Sequence, residues 1–493
     1  MLLTTLGTSS FSVALPDEHA TQRLAVDIAN SLEPGDLVTL SGDLGAGKTT
    51  FARALIRYLA NDPSLEVPSP TFTLMQIYDL PQFPLVHADL FRLSGSAELA
   101  ELGFDDLPEA AVVLVEWPDR AAGFLPPDRI DVALTLAPKL KLEFRHARVT
   151  GYGALGPRVD RMATVRQFIS ESGYSGALRA RLKGDASTRV YERLALGDKH
   201  AILMNAPRRP DGPAVRDGKP YNAIAHLADN VMPFVAMANG LRQYGFSSPE
   251  IYHADLDQGL LMIEDLGDQR IVSGEPETPI RERYEIAVDA LLALHAQRLP
   301  DVLPVAPHVE HRIPYYDMNA FLIEAELLLD WFLPRLHVAM PDSERDSFRT
   351  LWCELLQPAI ESPATWVLRD FHSPNLLWLA RRNEIARLGL LDFQDAVMGP
   401  AAYDVASLLQ DARVDIPEQI ELALLGRYVR GRRQSDPDFD PTSFIKIYVT
   451  LAAQRASKIL GIFARLDLRD GKPQYLRHMP RVWGYLQRSL SHP

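Results

Sequence analysis

Short apolar runs alternate with helical segments in the first part of the chain. Residues 37–40, 84–88 and 112–115 are predominantly apolar and too short for a stable helix, whereas residues 48–60 repeat apolar side chains at helical spacing. Apolar runs of this length are typical of strands buried on both faces of a parallel sheet. Such strands alternating with helices predict an α/β domain.

Glycine and proline cluster after this part of the chain, in the segment VTGYGALGPRVDR at 149–161. Such clusters are more common in linkers than inside helices or strands. We therefore predict a domain boundary near residue 157, with domains at 1–157 and 158–493, and an amphipathic helix beginning near Ala163. Residues 207–219 are rich in proline and charge. They are predicted to be an insertion or a mobile loop inside the second domain.

The composition is that of an ordinary globular protein. The 493 residues are 47% hydrophobic and 23% charged, which excludes a wholly disordered chain, and no uncharged apolar stretch is long enough to predict a membrane span. The single cysteine, Cys353, excludes an intrachain disulfide and a zinc site built from cysteines. No basic residues precede the short apolar run at the N-terminus, as they would in a signal peptide. A cytoplasmic location is therefore expected.

Acidic residues outnumber basic ones, and the net charge of −13 is unevenly distributed. Residues 1–150 carry a net charge of −9 and residues 151–493 one of −4. A general nucleic-acid-binding domain would instead present a basic face. Contact with RNA is therefore expected only indirectly, through protein partners.

The first apolar run leads into a glycine-rich loop with the pattern G-x-x-x-x-G-K-T. Backbone N–H groups of such a loop, and the N-terminus of the helix that follows, bind a polyphosphate. Lys48 would reach the β- and γ-phosphates, and the Thr49 hydroxyl would bind Mg²⁺. Because a strand precedes the loop and a helix follows it, the pattern predicts an ATP site. Its candidate residues are Gly42, Asp43, Gly45, Ala46, Gly47, Lys48, Thr49 and Thr50.

An acidic residue ends each of the next two apolar runs, Asp89 the first and Glu116 the second. Ligand sites of open α/β sheets lie at the carboxyl ends of the strands. Asp89 is therefore a candidate ligand of Mg²⁺, and Glu116 a candidate catalytic residue that orients or activates the attacking water. The alternative for each is a carboxylate that caps a turn or a helix.

Five motifs resemble the TsaE family of P-loop ATPases over most of residues 10–150. They are GDLGAGKTT, VPSPTFTL, HADLFRL, ELGFDD and LVEWPDR. The resemblance implies Mg²⁺ binding by Thr49 and Asp89, a catalytic role for Glu116 and a switch-like loop from Ser69 to Thr73 over the nucleotide. It also implies the partners TsaB and TsaD, with which the family makes N6-threonylcarbamoyladenosine in tRNA. Phe72 and Phe91 stand where the family usually has tyrosines.

A second set of polar residues follows apolar runs in the C-terminal part. Asp370 and Asn375 lie in WVLRDFHSPNLLW, and Asp392 ends the apolar run of LGLLDF. This is the pattern of kinase-type phosphoryl transfer. Asp370 would accept the proton of the acceptor hydroxyl, while Asn375 and Asp392 would bind Mg²⁺ through oxygen. His372 is interpreted as structural or as a residue on the substrate side.

An ATP-binding lobe is expected upstream. LKGDASTRVYERLAL at 182–196 predicts two strands joined by a glycine turn, in which Gly184, Ser187 and Arg189 would cover the phosphates. LLMIEDLG at 260–267 predicts a buried strand running into a hinge, where the backbone at Glu264 or nearby would bind adenine.

The usual lysine of this lobe is absent. Met204 occupies its position in HAILMN, and the helix predicted at about 231–244 contains no glutamate to pair with such a lysine. Loss of both partners avoids an unpaired buried charge. Arg189, or another base nearby, is expected to help neutralise the phosphates.

The order of these motifs over residues 163–493 resembles the aminoglycoside phosphotransferase-like kinases. The resemblance implies an α+β bilobal domain, with an N-lobe at about 163–266 and a C-lobe at about 267–493. GDASTRVYERL, AILMNAP, IEDLGD, LRDFHSPNLLW and LLDFQDAVMGPAAYDVASLL resemble more narrowly the AmgK cell-wall sugar kinases. These phosphorylate the anomeric hydroxyl of N-acetylmuramate and N-acetylglucosamine in peptidoglycan recycling. The wider family has His-Gly before the catalytic aspartate, where this chain has Leu368 and Arg369.

The sequence thus predicts a bifunctional enzyme: an α/β P-loop NTPase domain followed by an α+β bilobal kinase-like domain. Two alternatives keep these folds. The kinase domain could act on an aminoglycoside, choline, homoserine or another hydroxylated metabolite, and the P-loop domain could be a nucleotide-gated assembly module. A polycationic substrate requires clustered acids in the pocket, whereas N-acetylmuramate requires a base for its lactyl carboxylate.

Overall fold

The computed structural model describes residues 8–93, 107–121, 123–137, 143–182, 189–208 and 210–492. The chain divides into two compact units, Met1–Asn205 and Ala206–Pro493. Each unit is described by itself. Among the described residues, no helix is both long enough and apolar enough to cross a membrane.

The first unit contains a seven-stranded sheet in the order β1-β7-β6-β2-β5-β4-β3. Strand β2 is parallel to β5 and β6, and β4 is parallel to β5. Antiparallel pairs β1–β7, β6–β7 and β3–β4 complete the two edges. The centre is thus the predicted parallel sheet. The strands are β1 (Ser9–Leu15), β2 (Leu37–Ser41), β3 (Met75–Asp79), β4 (Pro84–Asp89), β5 (Val112–Glu116), β6 (Arg129–Leu136) and β7 (Arg145–Tyr152).

Helices α1 (Glu18–Ala29) and α2 (Lys48–Ala60) pack in the main core of this unit. Asp17 caps α1 by accepting the backbone N–H of Ala20 at 2.8 Å. Core residues such as Leu24 of α1 and Phe51 of α2 are completely buried. Helix α2 begins at the glycine-rich loop, so this core fixes the position of the phosphate site.

The segment predicted to be a linker is regular structure. Strand β7 continues to Tyr152, a 3-10 turn covers Gly153–Leu155, and α3 (Gly156–Glu171) starts before the predicted Ala163. The glycines serve close packing here, because a Cβ on Gly151 would lie 2.5 Å from the carbonyl oxygen of Leu155. Proline is compatible with the first helical turn, where its missing N–H has no helical partner.

Three further strands belong to the first unit: β8 (Leu178–Arg181), β9 (Val190–Leu196) and β10 (Lys199–Asn205). Strand β9 pairs antiparallel with both β8 and β10. Arg179 of β8 pairs with Asp27 of α1 and donates to both oxygens of Glu192 on β9, at 2.8 and 2.9 Å. All three side chains are at least 94% buried. A buried ion cluster thus joins these strands to the helix layer of the P-loop core.

The second unit is mainly helical, with short antiparallel strand pairs. Its longest described helix, α12 (Pro441–Leu468), begins after Asp440, which accepts the N–H groups of Thr442 and Ser443. The helices are α4 (Tyr221–Ile224), α5 (Met232–Gln243), α6 (Arg281–His295), α7 (Met318–Ala325), α8 (Leu333–Arg335), α9 (Asp342–Glu361), α10 (Ala402–Leu409), α11 (Glu418–Ser435), α12 (Pro441–Leu468) and α13 (Met479–Leu490).

The strands of the second unit form six antiparallel pairs among the described residues: β11–β12, β13–β14, β15–β16, β17–β18, β19–β22 and β20–β21. The first pair lies within and beside the stretch at 207–219 that was predicted to be an insertion or a mobile loop, so part of that stretch is a hairpin. The strands are β11 (Ala214–Arg216), β12 (Lys219–Pro220), β13 (Ile251–Asp255), β14 (Leu260–Ile263), β15 (Val272–Ser273), β16 (Thr278–Pro279), β17 (Val302–Ala306), β18 (Val309–Arg312), β19 (Ala364–Val367), β20 (Leu376–Trp378), β21 (Leu388–Leu390) and β22 (Val397–Pro400).

Candidate active sites

The glycine-rich loop has the backbone that a phosphate cradle requires. It lies between β2 and α2, and Gly42, Gly45 and Gly47 all have positive φ angles. Gly42 is constrained further, because a Cβ there would lie 2.2 Å from the carbonyl oxygen of Leu134. Ala46 is buried beneath the loop, and its N–H donates to the carbonyl of Asp43 at 3.1 Å. The loop thus reaches the N-terminus of α2 in the predicted strand–loop–helix order.

Lys48 is folded back onto the loop. Its ammonium donates to the carbonyl oxygens of Gly42 and Asp43, at 2.8 and 3.0 Å, and lies 3.6 Å from the ring centroid of Trp117. Burial lowers the pKa of Lys48, while Glu116, Asp89 and Asp43 act to raise it. An incoming phosphate would replace the two carbonyl oxygens as the partner of this charge.

The two predicted carboxylates lie side by side at the carboxyl edge of the sheet. Asp89 of β4 and Glu116 of β5 are register partners in the parallel ladder. Glu116 accepts the hydroxyl of Thr49 at 3.0 Å. Asp89 accepts the hydroxyls of Ser69 and Thr71, at 3.2 and 2.9 Å. The structure therefore brings the P-loop, both carboxylates and the predicted switch-like loop to one place; Thr50 follows in the first turn of α2.

His87 and Trp117 belong to the same site, and the sequence analysis gave neither a role. The Nε2 atom of His87 lies 3.0 Å from Oε1 of Glu116, and both side chains are almost completely buried. The sequence did contain a signal for His87, which is the histidine of an otherwise apolar strand. A polar side chain buried in such a strand needs a hydrogen-bond partner. Trp117 has φ +60° and packs against Phe91 at 5.0 Å between ring centroids.

The second site is assembled between two strand pairs. Asp370 follows β19, Asn375 precedes β20 and Asp392 follows β21. Because β20 and β21 pair antiparallel, Asn375 and Asp392 meet at one end. The amide nitrogen of Asn375 lies 3.0 Å from the Asp370 carbonyl oxygen and 3.4 Å from Oδ2 of Asp392. The three predicted kinase residues are therefore neighbours.

Asp404 holds the backbone of the loop that carries Asp370. Its two carboxylate oxygens accept the backbone N–H groups of Leu368 and Arg369, at 2.6 and 2.9 Å, and it is completely buried in α10. Burial raises the pKa of Asp404 to about 7. The sequence analysis missed this residue, although a single aspartate in the apolar helix AYDVASLL was a signal for it.

Arg369 departs from the usual family motif and has a structural role. Its guanidinium is buried, pairs with Glu324 and donates to the carbonyl of Ala225 at 2.9 Å. Lys458 also donates to Glu324, at 2.8 Å. The backbone of Arg369 has φ +64°, and the side-chain network holds this strained conformation beside Asp370.

His372 lies between two carboxylates. Its Nε2 is 3.8 Å from Oδ1 of Asp370, and its Nδ1 is 4.0 Å from Oδ1 of the buried Asp411. Burial lowers the pKa of His372 to about 4, so the imidazole is neutral near pH 7. Partial burial opposes ionisation of Asp370, but His372, Lys458 and Arg455 outweigh it, and the pKa of Asp370 is lowered. Asp370 is thus a carboxylate that can accept a proton.

The remaining predicted residues have different outcomes. Gly184 and Ser187 lie outside the described residues, and the role of Arg189 stays a prediction. Glu264 follows β14 as predicted, but its N–H donates to the carbonyl of Glu250 at 2.8 Å and is not available to adenine. Met204 is buried in β10, which agrees with a position that carries no charge.

The oxygen-rich side chains of both sites fit Mg²⁺. Thr49, Asp89 and Glu116 offer hydroxyl and carboxylate oxygens in the first site, and Asn375 and Asp392 offer amide and carboxylate oxygens in the second. The part of the chain that the structure describes holds no group of three or more His, Cys, Asp or Glu side chains able to bind a metal. In nucleotide sites, Mg²⁺ is commonly held by one or two such oxygen ligands together with substrate phosphates.

Replacing Asp404 should change how stability depends on pH. An unfolded aspartate is ionised above about pH 5, whereas buried Asp404 loses its proton near pH 7. Between these values the folded state binds more protons, so its stability falls as the pH rises from about 5 to 7 and levels off above that range. We expect Asp404→Asn to unfold at a lower temperature but to show a smaller slope over this range. Thermal unfolding followed by circular dichroism checks this, with the 74%-exposed Asp346→Asn as the control. Equal slopes in Asp404→Asn and the wild type would contradict it.

Comparison with known proteins finds two families in this chain. Residues 15–142 match the family model of threonylcarbamoyl adenosine biosynthesis protein TsaE, and residues 179–442 match that of the phosphotransferase enzyme family. An N-acetylmuramate/N-acetylglucosamine kinase of Caulobacter vibrioides is 38% identical over 68% of this chain and 93% of its own length. The kinase of the same name from Pseudomonas aeruginosa is 33% identical over 62% of this chain and 82% of its own.

The N-terminal part has its own relatives. The tRNA threonylcarbamoyladenosine biosynthesis protein TsaE of Rickettsia conorii is 42% identical over 24% of this chain and 68% of its own length. The predicted fusion is confirmed, as is the predicted pair of folds. The chain therefore belongs to the phosphotransferase enzyme family through its C-terminal kinase domain and to the TsaE family of ATPases through its N-terminal domain.

Proposed function

We propose that this chain is a bifunctional enzyme. Its kinase domain transfers the γ-phosphoryl group of ATP to the anomeric hydroxyl of N-acetylmuramate and N-acetylglucosamine in cell-wall recycling. Its P-loop domain is the ATPase subunit that supports formation of N6-threonylcarbamoyladenosine in tRNA. The observation that carries the kinase proposal is the joint placement of Asp370, Asn375 and Asp392.

The geometry supports separate roles for the residues of the kinase site. Asp370 accepts the proton of the acceptor hydroxyl, because its side chain is 41% exposed and its pKa is lowered. Asp404 and Arg369 fix the backbone around it, which keeps the carboxylate in one position. Mg²⁺, held by Asn375 and Asp392, would neutralise charge on the phosphoryl oxygens.

The charges around Asp370 favour a sugar acid over a polycationic substrate. Lys458, Arg455 and Arg369 are the cations that act on Asp370. The neighbouring carboxylates of Asp404 and Asp411 are completely buried and accept backbone N–H groups. They therefore do not offer the acidic surface that an aminoglycoside or choline would need.

In the P-loop domain, the contacts of Glu116 support a catalytic role in ATP hydrolysis. Thr49 donates to one carboxylate oxygen and His87 lies 3.0 Å from the other, which would hold the carboxylate in one position to activate a water. Asp89 and Thr49 would bind Mg²⁺. TsaB- and TsaD-like proteins are the proposed partners. Residues 1–150 carry a net negative charge, which supports contact with tRNA through these partners. A nucleotide-gated assembly module is the alternative role.

We also propose that the TsaE-like domain spans residues 1–157 and the kinase-like domain residues 158–493, so that they meet near residue 157. The two family matches, at 15–142 and 179–442, lie on either side of this position. The compact units divide later, at Asn205, because α3 and strands β8 to β10 belong to the first unit. The division into compact units reflects contacts within the folded chain, whereas the proposed boundary near residue 157 separates the parts that match the two families.

A substrate panel tests the kinase proposal. We expect the full chain with Mg-ATP to phosphorylate N-acetylmuramate and N-acetylglucosamine, and to leave kanamycin, choline and homoserine unchanged. ADP release measures the rate, and phosphorus NMR identifies phosphate on the anomeric oxygen. Phosphorylation of kanamycin or choline in place of the sugars would overturn the proposal.

A further inference from the structure

Gln394 is a buried glutamine two residues beyond Asp392. The residue is 3% exposed, and its amide nitrogen donates to Oδ1 of Asp392 at 2.8 Å. Its Oε1 atom makes no hydrogen bond to any residue that the structure describes. A buried carbonyl oxygen without a donor costs folding free energy, which is recovered when a donor from outside the chain binds there.

The unpaired oxygen alone does not identify a site. Gln410 and Gln454 also bury an Oε1 atom without a partner among the described residues. Their amide nitrogens donate to Glu421 at 3.1 Å and to the carbonyl of Phe321 at 3.0 Å. Gln394 differs from both, because its amide nitrogen holds a carboxylate that is proposed to bind Mg²⁺.

Two amides contact the carboxylate of Asp392. Asp392 has φ +57° and lies shortly after the short strand β21. The amide nitrogen of Asn375 lies 3.4 Å from Oδ2, whereas that of Gln394 lies 2.8 Å from Oδ1. Of these two contacts, the shorter one, from Gln394, restrains the carboxylate more strongly.

Gln394 is itself held in place. Its amide nitrogen also lies 3.5 Å from Oδ2 of Asp395, whose Oδ1 accepts the backbone N–H of Ala228 at 2.6 Å. The preceding Phe393 is buried and stacks on Phe234, with 4.9 Å between the ring centroids. The side-chain amide therefore keeps one orientation, with its nitrogen toward the two carboxylates.

Covalent geometry keeps the unpaired oxygen near the same carboxylate. The oxygen and nitrogen of an amide are joined through one carbon by bonds of about 1.2 and 1.3 Å. Because the nitrogen is 2.8 Å from Oδ1 of Asp392, Oε1 lies within about 5 Å of that atom. Mg²⁺ bound at a carboxylate usually keeps several waters, which donate hydrogen bonds. The amide thus offers a donor to the ligand and an acceptor to the hydrated cation.

We infer that Gln394 is a positioning residue of the magnesium site in the kinase domain. Its N–H group holds the carboxylate of Asp392 in the orientation that binds the cation, and its Oε1 accepts a hydrogen bond from water that the cation retains. This inference rests on the proposed function, in which Asp392 binds Mg²⁺, and adds a residue that acts through Asp392. Partners of a metal ligand are part of a metal site because they set how tightly the metal binds.

Binding of Mn²⁺ tests the inference without relying on catalysis. Mn²⁺ prefers the same oxygen ligands as Mg²⁺ and is measured directly by electron paramagnetic resonance. The full chain is titrated with Mn²⁺ and ADP in a Thr49→Val background, which removes the proposed hydroxyl ligand of the P-loop site. We expect Gln394→Met, which keeps the size of the side chain but lacks the amide, to weaken Mn²⁺ binding about 10- to 100-fold. An unchanged dissociation constant would overturn the inference.

Gln410→Met is the matched control. It removes the amide of another buried glutamine that donates to a carboxylate. We expect it to lower the melting temperature and to leave the affinity for Mn²⁺ unchanged. If it weakens Mn²⁺ binding as much as Gln394→Met does, the effect of both changes is structural and the inference is wrong.

Gln394→Glu gives a second measurement, on melting temperature. It replaces the N–H donor by a charge beside Asp392 and Asp395, so the metal-free variant should melt at a lower temperature than the wild type. A cation at Asp392 neutralises this repulsion. Mn²⁺ with ADP should therefore raise the melting temperature of the variant by more than it raises that of the wild type. A rise no larger than in the wild type would contradict a place for Gln394 beside the cation.

Asp392→Asn separates failure of this inference from failure of the proposed function. In the Thr49→Val background, this change should abolish the remaining binding of Mn²⁺ with ADP. If binding persists, Asp392 does not hold the metal, and the proposed function fails together with the inference. If Asp392→Asn loses the metal and Gln394→Met does not, the inference alone fails.

Discussion

Asp370→Asn should lower the rate of sugar phosphorylation by about 10³-fold, the contribution of a well-placed general base. Asparagine keeps the size of the side chain and the backbone hydrogen bonds of the loop. The KM for ATP should change little, since Asn375 and Asp392 remain. Steady-state kinetics with N-acetylglucosamine measures this loss.

The matched control for this variant is Asp346→Asn, which removes an exposed carboxylate on α9. It should retain the wild-type rate. A rate in Asp370→Asn within about tenfold of the wild type would show that another group accepts the proton. His372, 3.8 Å from Asp370, would then be the residue to replace.

Lys48→Ala should remove ATP hydrolysis by the P-loop domain while leaving sugar phosphorylation intact. The ammonium is the charge that meets the β- and γ-phosphates, and loss of one such contact costs about 10²- to 10³-fold. The measurement is best made in the Asp370→Asn background without sugar, where hydrolysis at the kinase site is suppressed. Addition of TsaB- and TsaD-like proteins shows whether partners raise the rate.

Lys199→Ala, an exposed lysine in the same unit, is the control for Lys48→Ala. If ATP hydrolysis persists in Lys48→Ala, this activity belongs to another site. A loss of sugar phosphorylation in Lys48→Ala would show that the two activities are coupled. Retained phosphorylation would show that they are independent.

The parts of the fold that could be predicted are those coded locally. A short apolar strand, a glycine-rich loop and an amphipathic helix are adjacent in sequence, so the pattern placed Lys48 and Thr49 correctly at the start of α2, after the loop that follows β2. The carboxylates at the ends of β4 and β5 followed from the geometry of parallel sheets. Asn375 and Asp392 followed from a known spacing.

The parts that were missed depend on contacts between distant residues. Arg369 lies in a loop and pairs with Glu324 on helix α7, and Asp404 holds a loop that precedes it by more than thirty residues. No local pattern contains such a pairing. The segment at 149–161 was misjudged for a related reason: its glycines and proline were taken as the mark of a linker, whereas Gly151 and Gly153 permit close contacts with Leu155 and Asp128.

The ion cluster of Asp27, Arg179 and Glu192 has an evolutionary consequence. Tyr58, near the end of the P-loop helix α2, donates to Asn30 at 3.0 Å and lies 3.5 Å from Glu192 of the same cluster. A chain divided at the proposed boundary near residue 157 would leave Asp27 in one product and Arg179 with Glu192 in the other, and each product would expose charged surface that the intact chain buries. The buried cluster therefore favours keeping the two parts in one chain.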